Sequence, residues 1–163
     1  MDYLVLRMRP EDLERLGDAD LSVAGLQIWV HGRQFPDSTD YWDGNWLRAT
    51  AFCRYPGAWV STDGPIIHLG ELVGFLEGVE RLYETLEGGA GLDCMEPNLK
   101  VQLRVDGTGH MHLTIDITHD HLSQTHQFSD TIDQSYLPAM ITGCRAILLK
   151  YPIRGRDSNE GGV

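Results

Sequence analysis

The chain has 163 residues, 42% of them hydrophobic, and its 24 Asp and Glu against 13 Lys and Arg give a formal charge of −11. That size and apolar content supply the core of one domain without a metal or disulfide staple. The charge opposes binding to nucleic acid or an anionic membrane and favours a basic partner; no apolar run approaches the roughly twenty residues that cross a bilayer.

In chain order, Tyr3–Met8 reads as a short strand, followed by a helical turn after Pro10. Leu26, Ile28 and Val30 alternate with polar neighbours at the period of a half-buried strand. Residues 34–45 form a loop dense in turn residues, and strands follow at 46–54 and 58–62 around the turn Tyr55-Pro56-Gly57. A helix over 69–86 places Leu69, Leu72, Val73, Leu76, Val79, Tyr83 and Leu86 on its inner face. Glu77 and Arg81 pair outside, and Gly88-Gly89 stops the helix. Val101–Val105 and Met111–Ile117 alternate on either side of Asp106-Gly107-Thr108-Gly109, a hairpin pattern. A further strand is expected near 122–128. The last helix, 135–151, turns Leu137, Ile141, Cys144, Leu148 and Tyr151 inward, with Ser135 as cap and Pro152 as stop. The expected architecture is α+β: an antiparallel sheet of about six or seven strands with two amphipathic helices packed on it, in one domain over 1–153. Residues 154–163 read as a disordered tail.

Cys53, Cys94 and Cys144 are odd in number and lack close pairing such as C-x-x-C, so they read as reduced core residues. With no basic, apolar leader at Met1-Asp2-Tyr3-Leu4, the expected compartment is cytoplasmic.

Few residues suggest catalysis. Five of the seven histidines fall between His110 and His126, a cluster that could serve a metal-dependent enzyme. The strand period, however, turns His110 and His112 away from the core, where second-shell support is missing. His68, Asp63 and Ser61 lie near one another without a Gly-x-Ser-x-Gly turn, and Gly88–Gly91 follows a helix instead of opening one. The reading is therefore of a binding protein, not an enzyme, with no metal or cofactor. A small accessory domain for some other ligand is the alternative. Its most distinctive stretch is the acidic, aromatic loop 35–47. Its carboxylates recur every third residue, unlike a calcium loop's every second. Asp37, Asp40, Tyr41, Trp42 and Asp43 are the candidate partner-binding residues, aromatic anchors set among acids.

Asp40-Tyr41-Trp42-Asp43-Gly44-Asn45-Trp46-Leu47, then Met95-Glu96-Pro97-Asn98-Leu99 before a glycine-turned hairpin, then Tyr136-Leu137-Pro138 opening a last helix that ends Lys150-Tyr151-Pro152, resembles the WapI-like family of bacterial immunity proteins over about residues 24–152. The resemblance implies a cytoplasmic antidote that binds and neutralises the toxic domain of a large contact-delivered toxin, often a nuclease. It implies no catalytic residue. Its partner would be a cognate toxin domain, and a basic one if that domain grips a phosphate backbone.

Overall fold

A computed structural model of the protein describes residues 9–155; the expected strand Tyr3–Met8 lies outside them. The chain runs as a 3-10 turn (Pro10–Leu16), strands β1 (Leu21–Val23) and β2 (Leu26–Arg33), a single helical turn α1 (Tyr41–Gly44), β3 (Trp46–Tyr55), β4 (Ala58–His68) and helix α2 (Leu69–Thr85). Strands β5 (Gly89–Asp93), β6 (Leu99–Val105), β7 (Met111–Ile117) and β8 (Gln127–Ile132) follow, then helix α3 (Leu137–Lys150).

The strands form two antiparallel sheets of four, ordered β1-β2-β3-β4 and β5-β6-β7-β8, instead of the one larger sheet expected. The break falls at α2, which carries the chain from the end of the first meander to the start of the second. The inner faces of both sheets and of both helices meet in one core, among them Leu26, Ile28, Ala51, Phe75, Leu82, Leu113, Ile115 and Cys144. All three cysteines are free and buried; burial pushes the thiols of Cys53 and Cys144 up to about 12.

Several expectations shift in detail. Helix α2 buries Leu69, Leu72, Phe75, Val79 and Leu82, whereas Tyr83 and Leu86 are exposed. Its core stripe is thus turned from the expected one: α2 packs on both β5 and α3, and Phe75 and Leu82 join the common core. Glu80 pairs with Arg145 of α3 at 3.3 Å, and no Glu77–Arg81 pair forms among the described residues. The strand expected near 122–128 begins at Gln127, because Asp120 closes a turn by accepting from the Leu122 amide (3.0 Å) and the Ser123 hydroxyl (2.7 Å). Helix α3 starts at Leu137 with Pro138 in its first turn. Ser135 does not cap it but lies in a preceding 3-10 turn, its amide bonded to Asp133 at 2.8 Å.

Two bulges shape one end of the first sheet. The β2–β3 register skips between Val30 and Gly32, and the β3–β4 register shifts between Leu47 and Ala49. Gly32 (φ 147°) and Gly64 (φ 138°) take the positive angles that these irregularities require. At the second bulge, Ile66 and Ile67 are both buried although adjacent, and Pro65 sits on β4, an edge strand, where its missing N–H breaks no interior ladder. The bulges bend the sheet where Arg33, Asn45 and His68 lie, and those three residues build the loop described next.

Candidate functional site

The acidic loop is held from beneath by two side chains that are themselves out of solvent. Asp40 lies before α1 with extended backbone, and its carboxylate accepts from the amides of Trp42 (2.8 Å) and Asp43 (3.0 Å), so it caps the turn. His68, 2% exposed, sits at the junction of β4 and α2. Its Nε2 donates to the carbonyls of Tyr41 and Trp42, both at 3.2 Å, while its Nδ1 accepts from the Gly70 amide at 3.1 Å. With both ring nitrogens taken by main chain, His68 has no nitrogen left to serve as a base for Ser61. The rings of Tyr41, Trp42 and Trp46 surround it at centroid distances of 5.2, 5.6 and 5.1 Å.

Asn45 is the second anchor and is fully buried. Its amide nitrogen donates to the carbonyls of Tyr41 (2.6 Å) and Arg154 (2.8 Å). Its oxygen accepts from the Arg154 amide (2.9 Å) and the Arg33 guanidinium (3.3 Å). Both protons and both lone pairs of the amide are used. Arg33 also donates to the carbonyls of Gly44 (2.6 Å) and Pro152, and Arg154 to those of Pro36 and Ser38 (3.0 Å). Residues 152–154 are thereby fastened along the inner side of the loop.

What faces outward is the charged and aromatic remainder. Asp37, Asp40 and Asp43 are exposed, Trp42 is 44% exposed and nearby Phe35 46%, whereas Tyr41 is half-buried against His68. All five predicted residues therefore belong to one loop and helical turn, with Asp40 and Tyr41 committed to its framework. Sequence patterning missed Asn45, Arg33, His68 and Arg154. Asn45 follows Asp43-Gly44 and reads as one more turn residue, and its partner Arg154 lies 109 positions away.

A neighbouring carboxylate belongs to the same framework. Glu71, in the first turn of α2, accepts from the amides of His68 (2.8 Å) and Met95 (2.6 Å). Burial raises its pKa above the usual carboxylate value, while the two amides pull it back. The histidine-rich stretch is arranged differently. His112 bonds Asp106 at 3.0 Å and His110 bonds Thr108 at 2.8 Å, closing the β6–β7 turn. The Thr108 hydroxyl and amide, with lesser help from His112 and His110, hold Asp106 well below the usual carboxylate range. Among the described residues no group of three or more His, Cys, Asp or Glu could hold a metal ion, and no helix is long and apolar enough to cross a membrane.

No curated protein and no solved structure matches the chain. The model of the Immunity protein WapI-like family does, over residues 16–152. That span takes in both sheets, all three helices and the loop with its buried supports Asn45 and His68; the chain belongs to the WapI-like family of immunity proteins.

Proposed function

We propose that the protein neutralises its toxin by covering the toxin's functional surface in the cytoplasm, with the loop 35–43 as a principal contact. The family membership carries the partner class; the composition and the loop support the manner of binding. An excess of acid at −11 is suited to a basic surface such as one that grips a phosphate backbone, which makes a nuclease domain the favoured target. The loop offers exposed Trp42 and Phe35 beside Asp37 and Asp43, on a scaffold already fixed by Asn45 and His68. A preformed loop loses little conformational freedom on docking, so more of its contact energy appears as affinity. On this reading the protein acts without catalysis.

The test begins with capture of the tagged protein's partner from lysate of its own host and continues with the isolated toxin domain. Replacing both Asp37 and Asp43 with Asn is expected to lower the association rate about three- to tenfold while leaving the unfolding midpoint unchanged, because exposed rim charges steer encounter. Trp42→Ala should weaken the complex by about 2 kcal/mol, as loss of a central aromatic anchor does. Asp40→Ala serves as the contrast: losing a helix cap costs about 1 kcal/mol of folding stability. If the Asp37/Asp43 double variant and Trp42→Ala bind as the unaltered protein does, the contact face lies elsewhere.

A further inference from the structure

Behind the loop the sign of the surface reverses. A cleft of about 520 Å³ is lined by Arg33, Lys150 and Arg154 together with Pro36, Tyr151 and Ile153. The ion pairs formed among the described residues use Lys100, His112 and Arg145; among those residues none of the three cations of the cleft is paired with a carboxylate. Arg33 and Arg154 spend part of their donors on carbonyls, which fixes their direction without neutralising them. Arg33 stands 6.0 Å from the centroid of the Tyr151 ring and Lys150 stands 5.6 Å from it, so two positive charges share one aromatic ring. Burial, and after it the like charge of Arg154, lowers the pKa of Arg33. In a protein with nearly two acidic residues for each basic one, a cleft lined by three cations without acidic partners among the described residues is a departure from the rest of the surface.

We propose that this cleft is an oxyanion site, taking a phosphate or carboxylate group carried on a short apolar body. The guanidiniums are held by main-chain bonds, so little side-chain freedom is lost when an anion docks. The anion would also relieve the repulsion between Arg33 and Arg154. The volume is that of a small-molecule pocket and exceeds what a bare ion fills; Pro36, Ile153 and the Tyr151 ring supply apolar contact for the body of the ligand. Asp37, next to Pro36, places acid near the rim, and with the overall negative field this disfavours a long polyanion. The site stands independently of the toxin-binding reading.

The experiment is an NMR titration of the full chain at constant ionic strength, with inorganic phosphate, phenyl phosphate and benzoate as separate probes. Saturable shifts are expected at the backbone amides of Ile153 and Arg154 and at the side-chain amide of Asn45, with millimolar dissociation constants. The aromatic probe should bind at least about threefold more tightly than inorganic phosphate if the apolar wall contributes. Phenyl phosphate preferred over benzoate assigns the head group as phosphate, and the reverse preference assigns it as carboxylate. Lys150 is exposed, and among the described residues its side chain meets only the neighbouring Tyr151 ring. Lys150→Gln should therefore weaken binding about three- to fivefold with an unchanged unfolding curve, and Lys150→Glu should weaken it further. Shifts that fail to saturate, that spread over the whole surface, or that persist undiminished in Lys150→Glu would overturn the proposal.

Discussion

Asn45 stands where three stretches of chain meet: the turn α1, the end of β2 through Arg33, and the segment after α3 through Arg154. An amide side chain is suited to that place because it offers two donors and two acceptors on one plane, and each finds a partner. Its exchange of two hydrogen bonds with the main chain of Arg154 resembles one rung of an antiparallel ladder, supplied by a side chain instead of a strand. Asn45→Asp would put a third and fourth acceptor where carbonyls need donors, and Asn45→Ala would leave buried main-chain groups without partners. The expected cost of Asn45→Ala is about 3 kcal/mol, read as a lower urea midpoint with unchanged slope. A loss below about 0.5 kcal/mol would mean that Arg33 and Arg154 hold the loop without it.

At the scale of elements, the fold depends on two close approaches between helix and strand. A Cβ built on Gly143 of α3 would lie 2.8 Å from the Asp20 carbonyl oxygen and 3.1 Å from a Leu21 side-chain carbon, and one on Gly78 of α2 would lie 2.8 Å from the Ala90 Cβ. The glycines therefore let α3 and α2 settle closely onto the edge strands β1 and β5. Gly143→Ala should displace α3 from β1 and lower stability by about 1–3 kcal/mol, despite alanine's better helix propensity. Thermal unfolding monitored by circular dichroism reads the outcome, and a stabilised variant would show that the contact yields easily. The periodicity of the sequence announces both long helices and the β6–β7 hairpin, since alternation and heptad-like spacing are local properties. Splitting of the strands into two sheets is not local. It follows from where α2 exits the first meander, and it also decides that Phe75 and Leu82 face inward while Tyr83 does not.

Across the whole molecule the loop's composition is legible in the sequence, but the division of labour within it is not. Asp37, Asp40 and Asp43 look equivalent as a run of acids; only the structure separates Asp40, bonded to two amides, from the other two. Likewise the sequence shows His68 only as a near neighbour of Ser61 and Asp63, whereas in the fold it is a buried post for the turn. The net charge is a property of the entire surface, and its consequence belongs at that scale. Association with a basic toxin domain should slow about tenfold or more between low and physiological-to-high salt, while dissociation changes little, as expected for long-range steering screened by ions. Stopped-flow measurements across a salt series check this, and a flat series would leave short-range contacts as the source of affinity.

The fastening of the loop to residues 152–154 bears on the order in which the protein becomes competent. Synthesis delivers the chain from its N-terminus, and both meanders can collapse as they emerge. The loop is made early, but the main-chain groups of Arg154 that occupy Asn45 arrive only after 109 further positions have been translated. A nascent chain thus displays its acids and Trp42 on a loop that lacks this fastening until Arg154 has emerged. A ribosome stalled before Arg154 would hold both sheets and α3 with Asn45 still lacking its partners on Arg154.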